Sequence, residues 1–464
     1  MLPGLLLLAG CLQGTEGPAD PGPDSLAEPW PPASVRYFCG DQGTDSPCPL
    51  DPEAGLLARA SRAVFHPNQP GTAIIAYVLG PENPSPGETS QLWTLVTRDG
   101  GKTWTKQPGP VLEPNSAFVG DTRPIIHGVY GVGATFRPSG ALVAGVGVSS
   151  SVFAVPDVYS MESPDLGATW GPVELVPDAT GIQDLTAAQG RDWLAYDGFE
   201  SGIAWRLSNQ TTWETGLESA IPGERCRDFG GVVEHQGRLF MACSLAQVEQ
   251  GTVTVSTTRG IVVVEIDAER RTYEERARSD EELCFGPFTL LPMRDGRFFV
   301  QFQCQRDVGK PILAFVMQSW LVDVANNNWT QVKGPLGATP GFNGGDGTVW
   351  VDAQVDAQGL VHMLSWCVVN DTVDPRLQHE VTLYIAWDPM TDSAVLSQVW
   401  TDRPWLGNDP VGLSPLTRVY GQAALWAARS GPPFDGSLAI QGQDGLLAWN
   451  TDTGIAVQWL RLGD

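Results

Sequence analysis

Six residues stand just before, or at the start of, β-type runs and carry groups suited to acid–base or anion chemistry. They are Asp121 and Arg123 in Asp121-Thr122-Arg123-Pro124, Arg227 in Glu224-Arg225-Cys226-Arg227-Asp228, Glu282 in Asp280-Glu281-Glu282, and Arg418 with Tyr420 in Arg418-Val419-Tyr420. Three guanidiniums converging on one point could grip a carboxylate through paired hydrogen bonds, and a neighbouring carboxyl could act as a general acid. The competing reading is structural, because arginines and acids at strand starts also pair with each other or solvate a rim. Residues this far apart can meet only in a fold that gathers many strand starts at one place.

Other templates are missing. No Gly-x-Ser-x-Gly elbow surrounds Ser149–Ser151, and Gly344-Gly345 lacks the Gly-Lys-Ser/Thr end of a phosphate loop. His66, His127, His235, His362 and His379 show no metal-ligand spacing, and Asp295-Gly296 and Asp346-Gly347 fit ordinary turns before calcium loops. The chain is therefore expected to use neither a cofactor nor a metal. Its seventeen tryptophans do not form a legible sugar-stacking strip. Trp104, Trp170, Trp213 and Trp329 follow turns, while Trp350, Trp366, Trp387 and Trp426 lie within strand patterns.

The elements that would position these groups are announced by a repeated turn. Thr97–Trp104 reads T-R-D-G-G-K-T-W and Ser163–Trp170 reads S-P-D-L-G-A-T-W, both fitting Ser/Thr-x-Asp-x-Gly-x-Thr-Trp. Asp99 and Asp165 can accept backbone N–H bonds across their own turns. Gly101 and Gly167 supply conformational freedom, and Trp104 and Trp170 start the returning strand with a large ring to bury. The template resembles the Asp-box, the bacterial neuraminidase repeat of sialidase-like β-propellers.

Paired β-type runs followed by turns recur along the chain at roughly 45–65 residues, in the range of a four-stranded propeller blade. Seven such units are legible, and amphipathic helical periodicity is nearly absent. The expected fold is all-β, a single propeller of four-stranded antiparallel blades over 36–464. The unit count favours seven blades, whereas the resemblance implies six. Two β-sandwiches are the alternative, and they explain the paired turns poorly. Val35–Phe38 is expected to add the outer strand of the last blade and close the ring.

The resemblance further implies an arginine triad, an acid and a tyrosine nucleophile, for which Arg123, Arg227, Arg418, Asp121, Glu282 and Tyr420 are the crude candidates. Here the chain departs from the family. Its nearest counterpart to the Phe/Tyr-Arg-Ile-Pro motif is Thr122-Arg123-Pro124-Ile125, which lacks the aromatic residue and follows a template turn instead of preceding them all.

Composition sets the outer bounds. The 464 residues carry a net charge of −25, which disfavours nucleic acid as a partner and restricts membrane contact to a lipid anchor. Leu5–Leu8 followed by Ala9-Gly10-Cys11 reads as the end of an export signal over residues 1–10, and Leu8-Ala9-Gly10-Cys11 resembles a lipobox, with Cys11 as the lipidated residue. Residues 11–35 read as a disordered tether rich in proline, glycine and acids. Three local pairs, Cys39 with Cys48, Cys226 with Cys243 and Cys284 with Cys304, read as disulfides and leave Cys367 unpaired; buried free thiols are the alternative. The resulting expectation is an exported, lipid-anchored, monomeric propeller binding a glycan or protein through its central face. A sialidase-type exo-glycoside hydrolase and a non-catalytic assembly or scaffold factor are the alternatives.

Overall fold

A computed structural model describes residues 36–38, 56–81, 89–113, 131–148, 157–179, 181–196, 202–249, 252–281, 284–306, 314–335, 348–370, 378–401, 418–419, 436–451 and 454–462. They form seven antiparallel sheets in chain order, each built on four main strands. Contacts between the first strands of successive sheets, and between the last sheet and the first, close the ring. The fold is a seven-bladed β-propeller.

Blade 1 shows the pattern: Leu56–Phe65 innermost, then Ala73–Pro81, Ser90–Thr97 and Thr105–Leu112 at the rim. Burial falls with distance from the axis, and the residue types follow. In blade 2 the second strand, Leu142–Val148, is buried at every position. A strand packed between two neighbouring blades has no solvent face, so it reads as a continuous apolar run. The rim strand Thr105–Leu112 is mostly exposed or half-buried, and its Lys, Gln and Pro fit an edge.

Successive apolar clusters hold the blades together. Ile74, Ala76 and Val78 of blade 1 pack with Leu142, Ala144 and Val146 of blade 2, all essentially without exposure. Each buried Ile, Val or Leu among them contributes roughly 1.5–3 kcal/mol. Comparable clusters join blades 2 to 3, 3 to 4, 4 to 5 and 5 to 6, and blade 7 to blade 1.

The ring is closed by the chain's first described strand. Arg36–Phe38 pairs antiparallel with Gly454–Arg461 as the fourth strand of blade 7. That blade therefore needs only three C-terminal strands, which are Gly436–Gln441, Asp444–Thr451 and Gly454–Arg461. One expectation is corrected by this arrangement. Arg418 does not begin the innermost strand of blade 7; Arg418–Val419 pairs in parallel with Gln398–Val399 at the outer edge of blade 6.

Both template turns join a third strand to a fourth. In the second, Asp165 accepts the Thr169 N–H at 2.7 Å, the Thr169 hydroxyl at 2.7 Å and the Ser163 hydroxyl at 3.0 Å. Asp99 makes the matching bonds to Thr103 and Thr97. The glycines are needed twice over. Gly101 and Gly167 have φ of +78° and +90°, and each lies against the preceding blade, Gly101 on Trp459 and Gly167 on Thr94. Each turn thus clasps its blade to the one before it. In blades 4, 5 and 6 the corresponding turns keep an aspartate, Asp267, Asp323 and Asp388, accepting N–H bonds two or three residues ahead.

Among the described residues two disulfides are present, Cys226–Cys243 and Cys284–Cys304, each tying the innermost strand of blade 4 or 5 to the second strand. Disulfides of this kind are characteristic of oxidising, extracytoplasmic surroundings. The Cys39–Cys48 pair, Cys11 and residues 1–35 lie outside the described residues, as does the side chain of Cys367.

Candidate functional site

Arg62 is set in the innermost strand of blade 1, Asp184 opens that of blade 3 (Asp184–Ala188), and Asp352 is in that of blade 6 (Thr348–Val355). These blades are not neighbours, so their side chains can meet only across the central channel. They do meet: Arg62 Nη2 donates to Asp184 Oδ1 at 2.9 Å, and Nη1 donates to Asp352 Oδ2 at 3.2 Å.

Two further blades hold the acids in place. The Leu438 N–H of blade 7 donates to Asp352 Oδ2 at 2.8 Å. The Thr186 hydroxyl donates to Asp184 Oδ2 at 3.1 Å, and the same oxygen lies where a Cβ on Gly231 of blade 4 would stand. Beside them, Gln354 accepts the Ile440 N–H at 2.9 Å and donates to the Leu438 carbonyl at 3.1 Å. Five blades therefore converge on one polar centre.

The two carboxylates occupy unlike surroundings. The side chains of Arg62 and Asp184 keep 21% of their surface exposed, and that of Asp352 keeps 7%. Burial pushes the Asp352 carboxyl above the usual aspartate range; Arg62 and the Leu438 N–H offset this only in part, and Asp184 adds to it. Burial alone would lower the Arg62 guanidinium, but Asp352 and Asp184 hold it above its ordinary value.

The residues expected to form the site are not brought together among the described residues. Arg227 does sit on the innermost strand of blade 4, but its ionic contact is with the adjacent Asp228 at 3.6 Å. Arg418 is at the edge of blade 6. Asp121, Arg123, Glu282 and Tyr420 lie outside the described residues. The sequence signal of Arg62, Asp184 and Asp352 is a charge inside or opening an inner β run, not one placed before it: S-R-A-V-F, D-L-T-A-A and V-W-V-D-A-Q-V.

Other ionic groups are structural clamps. Arg137 of blade 2 bonds Glu162 on its own blade and Asp192 on blade 3 at 2.8 and 3.0 Å, and Arg206 reaches the same Asp192 at 2.9 Å. Asp192 has no exposed surface, so this network seals an interface and offers nothing to a ligand. In blade 6, His362 Nε2 lies 2.9 Å from Asp356 Oδ2, and Nδ1 lies 2.7 Å from the Tyr384 hydroxyl. A carboxylate only accepts, so Nε2–H donates to Asp356 and Nδ1 accepts from Tyr384. Burial would raise Asp356, yet bonds from His362 and from the Leu360 and Gln358 N–H groups hold it low. Burial also pushes the Tyr384 hydroxyl well above the usual phenol range. Glu281, Cys284 and Cys304 cluster closely, but both cysteines are spent in a disulfide and supply no thiolate to a metal.

No family model and no curated protein matches the chain. Among solved structures it is similar to an α-L-arabinanase of Penicillium chrysogenum complexed with arabinobiose, at 11% identity over 93% of this chain and 97% of that one, with a TM-score of 0.42. It is also similar to an ulvan lyase from a new polysaccharide lyase family, at 10% identity over 88% and 94% of the two chains (TM-score 0.45). A third similarity is to Trypanosoma rangeli sialidase in complex with the inhibitor DANA, at 13% identity over 87% and 55% (TM-score 0.39).

Proposed function

We propose that the protein is an exported propeller that binds a glycan in its central channel, with Asp184, Arg62 and Asp352 as the polar contacts. The observation that carries this reading is the meeting of these three side chains from non-adjacent blades, with part of Arg62 and Asp184 left exposed. Paired carboxylates and a fixed guanidinium offer acceptors and oriented donors to vicinal hydroxyls. Export is supported by the two disulfides, and anchoring by the Leu8–Cys11 text. Titration calorimetry of the full chain with oligosaccharides tests the site: Asp184→Asn should abolish binding in a chain that still unfolds cooperatively, with the stability loss expected from weakening its bond to Arg62 measured alongside. Unaltered binding by that variant would overturn the assignment. For the anchor, membrane retention should disappear in Cys11→Ser.

One observation favours a second reading, glycoside hydrolysis. Two carboxyls share one guanidinium in unlike surroundings, and burial pushes the Asp352 carboxyl above the usual aspartate range. A carboxyl raised in this way suits a general acid, with a second carboxyl close by. A sialidase-type mechanism is the less favoured form, because both terminal nitrogens of Arg62 are already engaged. Release of fluorophore from a panel of aryl glycosides, including a sialoside, should be lost in Asp352→Asn if this reading holds.

A further inference from the structure

Resting on the channel-binding reading, we infer that this site selects uncharged sugars and rejects acidic ones such as sialic or uronic acids. Three observations combine. Among the described residues the channel centre brings one guanidinium against two carboxyl groups, an excess of acid over base. Both Nη atoms of Arg62 already donate to Asp184 and Asp352, so a ligand carboxylate would have to compete with these acids for the guanidinium. The more exposed of the two acids is Asp184, so an incoming ligand meets a carboxyl group before it meets Asp352.

A sugar hydroxyl can donate to Asp184 without disturbing Arg62. A ligand carboxylate would have to draw Arg62 away and leave Asp352, buried and held by Leu438 N–H, without its cation. Like charges brought together in a partly desolvated channel penalise the wrong ligand more than they reward the right one. Gly231 reinforces the choice. It gives the Asp184 carboxylate its space against blade 4, which any side chain at 231 would take away.

The test is a binding panel on the full chain, made of neutral arabino-, xylo- and gluco-oligosaccharides and of sialyl- and glucuronate-containing oligosaccharides of matched length. At low salt, at least one neutral oligosaccharide should bind ten-fold or more tightly than any acidic one. In the isosteric variant Asp184→Asn/Asp352→Asn the acidic ligands should gain ten-fold or more relative to the wild type, because Arg62 is then free. Acidic ligands that bind the wild type as tightly as neutral ones, with binding still lost in Asp184→Asn, would overturn the selectivity and leave the channel reading standing. No binding by any oligosaccharide would overturn both. If the double variant does not fold, Gly231→Ala serves in its place: by crowding Asp184 it should weaken neutral-sugar binding, and unchanged affinity would count against the proposal.

Discussion

Arg62→Met tests the channel most directly. It keeps most of the aliphatic volume and removes the only cation bonded to Asp184 and Asp352 at the channel centre among the described residues. Removing one partner of a buried ion pair costs about 3–5 kcal/mol. Arg62 and Asp184 keep 21% of their side-chain surface exposed, so that contact is partly screened. Asp352 is nearly enclosed and retains the Leu438 N–H at 2.8 Å, which satisfies one oxygen. Together these reduce the expected loss to roughly 2–3 kcal/mol. The pH dependence follows from Asp352. Its folded pKa already lies above the unfolded value, so its protonated form favours folding below the unfolded pKa, and that stability is lost as pH rises through the folded value. Without Arg62 the folded value rises further. The deficit should therefore be smaller near pH 4 than at pH 7.5. Urea unfolding followed by tryptophan fluorescence at both pH values measures it. Adding Asp352→Asn should recover most of the loss, since no buried charge is then stranded. A deficit below about 0.5 kcal/mol, or one equal at both pH values, would refute the assignment of Arg62 as the shared counter-ion.

The clasp turns can be tested by paired glycine substitutions. Gly167→Ala sets a Cβ 2.5 Å from Thr94 Oγ1 at φ +90°, whereas Gly100→Ala at φ +71° meets nothing within 4 Å. The first should cost on the order of 2–4 kcal/mol and the second about 1 kcal/mol in urea unfolding. Tyr384→Phe strands His362 Nδ1 in a buried site and should destabilise by about 1–3 kcal/mol, with no effect on ligand binding; a neutral result would mean the bond at 2.7 Å contributes little. Asp165 is held below its usual range by the Thr169 N–H and hydroxyl. Its contribution is thus present above the unfolded pKa and lost as pH falls through the folded one, so the acid limb of the wild-type stability profile should be shallower in Asp165→Asn.

Much of the fold was legible because local chemistry dictates it. The two template turns spend their own side chains on their own backbone, so Asp99, Asp165 and the trailing tryptophans announce a third-to-fourth strand turn wherever they occur. Val, Leu and Ala runs such as Leu142–Val148 had to be inner strands, as only a strand covered on both faces tolerates such a run. Closure by Arg36–Phe38 was likewise readable from its alternation and its place ahead of the first unit. Blade 7 was harder. Its strands could be apportioned only once it was known that the N-terminal strand fills the fourth position, and this moved Arg418 from the channel to the edge of blade 6.

Turn chemistry, strand content and the number of blades were thus properties of the sequence itself, because each depends on residues within a few positions of one another. The identity of the channel site was decided by the tertiary structure. Asp184 and Asp352 lie 122 and 290 positions from Arg62, and nothing local to any of the three names the others. They become one site because seven blades close into a ring small enough for a single arginine to reach from blade 1 to blades 3 and 6.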